Sequence, residues 1–300
     1  MSSQYLDRQH LKIVLAVVEQ GNITRAAERL HLSQSALSHS IRHLENHLNI
    51  KIWRKEGRQL ELTPAGQKLY QFAQKILPQF EYLENHLKDH VRGRVGFLRV
   101  GMECHPCYQW LLRIVADYLR IFPQVDVDVR QQVKFKGAEA LLAYEVDMLI
   151  TPDPITLPRL TFLPVFPYEQ VLVVSEKHAL AAKEAISAQD LCDEILITYP
   201  VPKERLDIFS RFLWPNQADV WQHKTSETTE MMLHLVAENR GVSALPLWLV
   251  KQQASHLPIK TLRLGDGVFK HIHLGMRDAD MDLDYIKGFI ELAQQQKRNA

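Results

Sequence analysis

Two groups of residues in this 300-residue chain carry side chains suited to binding chemistry. The first lies between Ser33 and Arg42, where serine, glutamine, histidine and arginine recur at helical spacing. The second is Cys104-His105-Pro106-Cys107, with Glu103 directly before it. Amide and guanidinium groups on one helix face suit hydrogen bonds to bases in a DNA groove. Two thiols beside a carboxylate suit a small ligand, a redox reaction or a metal ion.

The first group requires a helix that buries one side and exposes the other. Ser33 is a good N-cap for a helix over residues 34–48, which would bury a leucine and isoleucine stripe. Glutamine can pair with adenine, arginine with guanine, and serine can reach either bases or phosphates. We expect the opposite face and the first turn to contact DNA through Gln34, Ser35, Ser38, His39 and Arg42.

The residues before this helix predict a second, shorter helix that crosses it closely. Gly21 allows a turn, Asn22 and Thr24 are plausible caps, and Ala26-Ala27 is small enough for two helices to approach. Together with the turn at residues 30–33, this pattern favours a helix-turn-helix over an ordinary solvated helix.

A basic hairpin is predicted after the helix-turn-helix. Residues 51–54 and 59–63 are strand-like and flank Glu56-Gly57, a natural hairpin tip, so the segment is typical of a wing. Its basic residues suit phosphate or minor-groove contacts. Beyond the helix face already given, the residues expected at the DNA are Thr24, Ser33, Arg54, Lys55 and Arg58.

Thr63-Pro64 is typical of the start of a new helix, and the apolar residues that follow are spaced by four and three in turn. This heptad spacing indicates a helix that packs against a partner helix, and Pro78 inside it should bend the helix or interrupt one hydrogen bond. The alternative is that the helix packs on its own domain. The candidate dimerisation residues are Leu69, Ala73, Ile76, Phe80, Leu83 and Leu87.

The segment NITRAAERLHLSQSALSHSIRHLE, the wing ending in ELTPAG and the helix after it resemble the LysR-type transcriptional regulators. The resemblance covers the whole chain, because such proteins carry an effector-binding domain of about the length that remains here. It implies that the helix after residue 64 dimerises the chain, and that two recognition helices bind pseudo-palindromic half-sites in promoter DNA.

From residue 97 the pattern changes to alternating strands and helices, which predicts mostly parallel sheets covered by helices. Residues 165–175 are expected to form a pair of strands. The family resemblance implies a two-lobed, periplasmic-binding-protein-like α/β domain with its ligand between the lobes. The expected domains are a winged helix-turn-helix over 1–64, a linker helix over 65–91 and an effector-binding domain over 92–300. Its lobe I would cover about 97–165 and 267–300, and its lobe II about 166–266.

Open α/β sheets bind ligands beyond the carboxyl ends of their strands, which selects four loops of this domain. Two of these loops begin helices, whose free N–H groups attract carboxylates, and Glu103 and Asp153 could hold an ammonium group. A small zwitterion would therefore fit. The candidate effector-binding residues are Glu103, Cys104, His105, Cys107, Thr151, Asp153, Tyr199, Pro200, Ser226 and Thr228.

Several segments of this domain are similar to the family members that regulate methionine biosynthesis. They are residues 103–110, 125–130, 199–200 and 244–248. This resemblance implies homocysteine as the co-effector and methionine-biosynthesis genes as targets. The weakly polar Cys104 and Cys107, with Tyr108 or Trp110, could accommodate its sulfur.

Three alternatives concern the same cysteines. The effector could be another small acid, or oxidation of Cys104 and Cys107 could itself be the signal. A thiol oxidoreductase fused to a DNA-binding module would also carry Cys-x-x-Cys after a strand, although the order of elements differs from a thioredoxin. Zinc is a further alternative for Cys104, His105 and Cys107, but no second ligand pair has finger spacing, so we expect no metal.

Composition and charge fit a cytoplasmic regulator. Net charge is +1 overall, with nine basic and six acidic residues in residues 1–66, so the predicted DNA-binding part is the basic one. Three cysteines argue against a disulfide scaffold. We find no signal peptide, no apolar stretch that could span a membrane and no motif of an enzyme, and we expect no catalytic residues.

Overall fold

The computed structural model describes residues 6–56, 59–91, 96–130 and 136–296. The chain divides into two compact units, namely residues 1–93 with 142–145, and residues 94–141 with 146–300. No helix among the described residues is both long and apolar enough to cross a lipid bilayer.

Three capped helices open the first unit: α1 (Arg8–Gln20), α2 (Ile23–Arg29) and α3 (Gln34–Leu48). Each begins where a side chain accepts a hydrogen bond from a free backbone N–H of the first turn. The caps are Asp7, Asn22 and Ser33. Gly21 has a φ of +62°, which lets α1 end sharply before α2.

The three helices enclose a small apolar core. Ala26 and Ala27 of α2 are fully buried, as are Leu37 and Leu44 of α3. They pack with the isoleucine and valines of α1 and with Ile52. The alanines let α2 cross its neighbours closely, as the sequence pattern predicts.

A two-stranded antiparallel hairpin follows, formed by β1 (Trp53–Glu56) and β2 (Gln59–Leu62), with Trp53 opposite Leu62. β1 begins two residues later than the sequence pattern indicated, because the preceding segment is held by Glu45. The buried Glu45 carboxylate accepts hydrogen bonds from the N–H groups of Ile52 at 2.8 Å and Trp53 at 3.3 Å, and from Lys51 Nζ at 2.8 Å. The base of the hairpin is thereby fixed to α3.

Helix α4 (Pro64–Val91) runs through Pro78 without ending there. Its apolar residues divide into two parts. Leu69, Ala73 and Ile76 pack against α1 of the same chain, around the buried Leu77. The remaining candidate dimerisation residues are exposed, at 43%, 53% and 60% for Phe80, Leu83 and Leu87. The first half of the seam is therefore occupied within the unit, and the second half offers an apolar face.

The second unit is built on a seven-stranded sheet. Its elements, in chain order, are β3 (Gly96–Met102), α5 (His105–Ile121), β4 (Val125–Arg130), α6 (Gly137–Leu142), β5 (Met148–Thr151), β6 (Leu160–Ser175), β7 (Ala185–Ile186), β8 (Ile195–Thr198), β9 (Gln222–Thr225), α7 (Thr229–Ala237), β10 (Ser243–Pro246), α8 (Leu247–Gln253), β11 (Ile259–Arg277) and α9 (Asp284–Gln295). A 3-10 turn at Lys203–Arg205 and a π-helix at Ile208–Leu213 lie between β8 and β9.

The sheet is mixed, so the expectation of mostly parallel sheets is wrong. Its strand order is β10-β6-β11-β5-β3-β4, with β7 beside β11. β3 pairs in parallel with β4 and β5, but β11 is antiparallel to both β5 and β6, and β10 is antiparallel to β6. The difference arises because the two long strands, β6 and β11, run in opposite directions through both halves of the unit.

The expected strand pair over residues 165–175 is also wrong, because β6 is one strand of 16 residues. It pairs with β11 along nearly its whole length. Pro164 and Pro167 lie within this strand, although proline cannot donate a hydrogen bond within a sheet. Both prolines lie outside residues 170–173, where β10 covers the second edge of β6, so their missing N–H groups cost little.

Separate apolar clusters lie on the two halves of this unit. One surrounds Trp110, Phe166 and Phe289 between the sheet, α5 and α9. Another surrounds Phe209 and Leu213 of the π-helix, and a third lies between β10, α7 and α8. β6 and β11 contribute residues to clusters in both halves, so they form the connection across which a cleft opens.

The fixed base of the hairpin leads to a prediction about pH. Burial alone would raise the pKa of Glu45, but hydrogen bonds from Lys51, Ile52 and Trp53 and the Lys51 charge together lower it below its usual 4.5. A carboxylate whose pKa is lowered in the folded state stabilises the fold above its unfolded pKa. It loses this contribution as pH falls through the folded pKa.

We expect E45Q to speed hydrogen exchange in the peptide containing Ile52 and Trp53 about tenfold at pH 7, since a charged acceptor contributes ~1.5–3 kcal/mol. The ratio to wild type should shrink as pH falls below 4.5, the usual glutamate pKa. Glu61→Gln, at an exposed hairpin position, is the matched control. An E45Q effect that is constant between pH 7 and pH 3 would contradict this account.

Candidate functional site

The outward face of α3 carries the polar residues expected to contact DNA. Gln34, Ser35, His39 and Arg42 are exposed, and Ser38 is half-buried between them. Gln34 Nε2 lies 3.4 Å from Ser38 Oγ, and Arg42 Nε donates to the Ser38 carbonyl at 3.3 Å. The amide and the guanidinium therefore lie along one ridge, on either side of Ser38, which is the arrangement that a groove-inserted helix needs.

Ser33 and Thr24 lie at the starts of α3 and α2. Ser33 Oγ accepts the Ala36 N–H at 3.1 Å and lies 3.0 Å from Ser35 Oγ. Thr24 is exposed, and its N–H donates to Asn22 Oδ1 at 2.7 Å. The cap of α2 is therefore Asn22, which leaves the Thr24 hydroxyl on the surface.

The hairpin positions are described in part. Arg54 Nη2 donates to Glu61 Oε2 at 3.0 Å across the strands, with both side chains exposed. Such an exposed ion pair contributes little energy and can be exchanged for a phosphate. Lys55 belongs to β1, but its side chain, like all of Arg58, lies outside the described residues.

A histidine ladder extends from the outward face of α3 toward its end. His39, His43 and His47 are spaced by four residues and all are exposed. Their ring centroids are 6.4 Å and 5.9 Å apart, in stacked orientation.

In the second unit, several predicted effector residues meet at one cavity of about 100 Å³. It lies between the end of β5 and the loop after β8, over β6 and β11. The predicted residues that line it are Glu103, Cys104, Asp153 and Tyr199. A second, larger cavity of about 450 Å³ shares Glu103 and Asp153 and extends over the start of α6.

Glu103 does not hold a free carboxylate for a ligand. Its Oε1 accepts the Gly137 N–H at 2.9 Å, and its Oε2 accepts the Thr151 hydroxyl at 2.8 Å. It therefore fastens α6 to β5, and the ammonium-binding role that we expected for it is better suited to Asp153. Thr151 is fully buried, and its Oγ1 also accepts the Asp153 N–H at 3.1 Å, so it orients the cavity wall.

Cys104 and Cys107 form a disulfide, contrary to the expectation drawn from the cysteine count. Cys104 caps α5 by accepting the Cys107 N–H at 3.1 Å and also lines the cavity, whereas Cys107 is fully buried. In this oxidised state, neither Cys104 nor Cys107 has a free thiol that could lie next to a ligand sulfur. His105 begins α5, and its side chain lies outside the described residues.

Tyr199 brings its ring, rather than a charge, to the cavity. Burial raises the pKa of its hydroxyl, which is 2.6 Å from Thr229 Oγ1 and stays protonated. Other predicted residues at this end have structural positions. Thr228 caps α7, Ser226 donates its N–H to the Thr198 carbonyl, and Pro200 is exposed; none of these three is among the residues that line the cavity.

Sequence reasoning missed the cationic part of the cavity. Lys270 on β11 and Arg205 line it, together with Asp207, Tyr168 and Gln170. A signal was present for Lys270, because it occupies the buried register of an alternating strand, between Val268 and Ile272. A lysine on the buried face of a strand requires a partner or a function.

Among the described residues, no group of three or more histidine, cysteine, aspartate or glutamate side chains is arranged to hold a metal ion. The cavity is lined by charged, polar and apolar side chains, a composition typical of sites for small organic ligands.

Comparisons with known proteins match both units. The profile described as "Bacterial regulatory helix-turn-helix protein, lysR family" matches residues 8–67. The profile "LysR substrate binding domain" matches residues 92–298.

Among curated proteins, the HTH-type transcriptional regulator MetR of Escherichia coli K12 is 33% identical to this chain, covering 96% of it and 90% of MetR. MetR of Haemophilus influenzae is 29% identical, covering 99% of this chain and 96% of its own length.

Among solved structures, the regulatory domain of MetR from N. meningitidis is 31% identical, with a TM-score of 0.63 over 68% of this chain and 94% of that one. The same domain has been solved with two cysteines, three residues apart, replaced by serine. Full-length CbnR bound to its target DNA is 22% identical, with a TM-score of 0.72 over 97% of this chain and 99% of that one, which shows a common fold.

Proposed function

This chain belongs to the LysR family of transcriptional regulators, and from this premise we propose that it controls methionine-biosynthesis genes with homocysteine as its co-effector. It is a DNA-binding regulator, similar to MetR at moderate identity. Homocysteine would occupy the cavity beside Cys104 and Tyr199 and shift the oligomer between promoter-bound states. Its place of action would be the cytoplasm.

The observation that carries the DNA-binding role is the exposed ridge of Gln34, Ser38 and Arg42 on α3. These side chains are held only by weak contacts with one another, so they can exchange those contacts for base edges. The hairpin with Arg54 would contact the flanking backbone. Thr24, Ser33, Ser35 and His39 complete the proposed surface.

Oligomerisation would use the exposed second half of the α4 seam. Phe80, Leu83 and Leu87 leave an apolar stripe that a second α4 can bury, at a gain of roughly 25 cal/mol per Å². Leu69, Ala73 and Ile76 would instead keep α4 fixed to α1. Because one half of α4 would be fixed to α1 and the other half to a second α4, this helix would connect the position of the recognition helix to the dimer contact.

The observation that supports an amino-acid effector is the composition of the cavity wall. The carboxylate of Asp153 and the ammonium of Lys270 lie at the same cavity as the apolar side chains of Met232 and Leu245. Homocysteine carries an ammonium group, a carboxylate and a soft sulfur chain, and each finds a counterpart there. Another small acid is the alternative within the same site.

The disulfide favours a second candidate, in which the oxidation state of Cys104 and Cys107 is part of the signal. In thiol–disulfide exchange with a small disulfide, the two thiols lose two electrons and two protons and form the S–S bond, and the small disulfide leaves as two thiols. Because Cys104 caps α5 and lines the cavity, reduction would change both the cap and the wall. The oxidation state would then set how well the effector binds.

For the DNA contacts, we expect Arg42→Ala and Gln34→Ala each to weaken binding to the correct operator by about 1–3 kcal/mol. Operators would first be located by footprinting on a genomic library, and affinities then measured by fluorescence anisotropy at fixed ionic strength. Arg120→Ala, which removes another exposed arginine, from the other unit, is the matched control and should bind as wild type. Unchanged footprints in both α3 variants would overturn the proposed face.

For the effector, calorimetry of the full chain should give a clear heat with homocysteine and binding about tenfold or more weaker with methionine. The reason is that one additional methyl group in a small pocket is worth roughly 1–3 kcal/mol. Ala244→Phe, which fills the cavity from β10, should abolish the homocysteine heat while the melting temperature shows that the chain is folded. Equal or absent heats for the two compounds would refute homocysteine as the effector.

For the cysteines, we expect reduced protein to bind homocysteine with at least a threefold different Kd from oxidised protein, because the wall at Cys104 changes. The double variant Cys104→Ser/Cys107→Ser should give one Kd whatever the redox buffer. Cys192→Ser, which removes the free exposed cysteine, should retain the wild-type difference. Operator affinity and homocysteine affinity that both ignore the redox buffer in wild type would exclude redox sensing.

A further inference from the structure

A buried lysine lies on the strand that joins the two halves of the second unit. The Lys270 side chain is only 3% exposed. Its Nζ forms ion pairs with Asp153 Oδ1 at 2.6 Å and Asp207 Oδ2 at 3.0 Å. Asp153 follows β5 in one half, and Asp207 precedes the π-helix in the other, so one ammonium group holds carboxylates from both sides of the cleft.

The ion pairs continue beyond the lysine on each side. Arg205 Nη2 lies 3.6 Å from Asp153 Oδ2, and Arg211 Nε lies 3.1 Å from Asp207 Oδ1. Charges therefore alternate along Arg205, Asp153, Lys270, Asp207 and Arg211, and each carboxylate has a cation on both of its oxygens. The two arginines are partly exposed, at 31% and 53%, whereas the central cation is buried.

This alternation makes exchange of one partner possible at low cost. A buried ammonium group without a negative partner is strongly unfavourable, so Lys270 must always have one. If an incoming carboxylate replaced Asp207 at Lys270, Asp207 would keep its pair with Arg211. Asp153 would keep both Arg205 and Lys270. The exchange thus leaves none of these five groups without an opposite charge.

Tyr168 supplies a neutral donor at the same place. It stands opposite Lys270 in the β6–β11 register and lines the cavity with it. Burial, and then the nearby carboxylates of Asp207 and Asp153, raise the pKa of its hydroxyl, so the hydroxyl stays protonated. A ligand carboxylate at Lys270 would therefore meet a hydrogen-bond donor at Tyr168, while Asp153 stays paired with the other side of the ammonium group.

We propose that Lys270 is the residue that binds the carboxylate of the small acid in this cleft, in exchange for Asp207. The inference rests on the proposed function, because it assigns a role within the same effector site. The ligand's ammonium group, where present, is directed to Asp153, the one of the two carboxylates that is 40% exposed. Exchange at Lys270 also releases the segment that carries Asp207 from β11, which links ligand charge to the position of that segment.

The test combines charge removal in the protein with charge removal in the ligand. The probes are homocysteine, 4-mercaptobutanoate, which lacks the amine, and 3-amino-1-propanethiol, which lacks the carboxylate. We expect Lys270→Met to weaken binding of the two carboxylate-bearing probes about 30-fold or more, since the lost bond is a charge-assisted one. Binding of the aminothiol should not weaken, because its ammonium group is directed to Asp153, from which this variant removes a competing cation. Lys270→Arg should retain most of the affinity for both carboxylates.

Two further variants separate binding from folding and test the exchange. Asp207→Asn removes the competing carboxylate, so it should tighten both carboxylate probes several-fold. The double variant Asp207→Asn/Lys270→Met removes one charge of each sign and should melt closer to wild type than Lys270→Met does. The double variant should still bind the two carboxylate-bearing probes at least 30-fold more weakly than Asp207→Asn does.

Each outcome is decisive. If homocysteine binds wild type and Lys270→Met alike, or if Asp207→Asn weakens it as much as Lys270→Met does, the role of Lys270 is refuted and the effector stands. If 4-mercaptobutanoate binds in a Lys270-dependent way but homocysteine does not bind, homocysteine is refuted and Lys270 stands. If neither carboxylate binds wild type at millimolar concentration, both are refuted, while operator footprinting still reports on the DNA-binding role.

Discussion

The antiparallel pairing of β6 with β11 is the constraint on which the second unit depends. The two strands pair from Leu160 with Arg277 to Ser175 with Ile259, so their backbone hydrogen bonds run through both halves of the unit. Register shifts at Arg263/Val268 and at Ile272/His273 interrupt the ladder on either side of Lys270. Irregularities of this kind increase local twist and re-aim side chains. The cleft and its buried cation therefore lie between two irregularities of the long β6–β11 ladder.

In the first unit, the corresponding constraint is the attachment of the hairpin and α4 to the helical core. Glu45 holds the backbone before β1, and Thr63 Oγ1 donates to the Lys51 carbonyl at 2.5 Å while accepting the Gly66 N–H. Gly66 is required there, since a Cβ at this position would collide with the Ile52 carbonyl. The hairpin and the long helix α4 are thus both anchored at residues 51–66. The exposed face of α3 therefore keeps a fixed geometry relative to them.

Much of this architecture follows from local sequence. Caps at Ser33 and Asn22 and the apolar stripe of α3 define the helix-turn-helix, because capping and periodicity are short-range signals. The carboxyl ends of β3, β5 and β8 also brought Glu103, Asp153 and Tyr199 to one cavity, as the rule for α/β sheets predicts. Local pattern failed at β6, which is one strand of 16 residues where a pair of strands was expected.

The parts that sequence reasoning missed depend on contacts between distant residues. Glu103 was taken as a ligand for an ammonium group, but it is used by Gly137 and Thr151, 34 and 48 positions away. The heptad seam of α4 divides at about Leu77 because α1 covers its first half, which no heptad count can show. The partners of Lys270 come from residues 117 and 63 positions earlier, although its place in the buried register was visible in the alternation of β11.

A cleft whose two sides are joined by ion pairs would impose a particular kind of selectivity. An apolar molecule can fill the space beside Met232 and Leu245, but it offers nothing to a lysine whose partners come from opposite halves. Only a ligand with differential affinity for two arrangements can shift a protein between them, and a carboxylate that competes with Asp207 has that property by its charge. Shape would then select which acid enters, and charge would determine whether entry has any consequence. The apolar wall would therefore determine how tightly a ligand binds, and the ion pairs would determine whether its binding shifts the protein between arrangements.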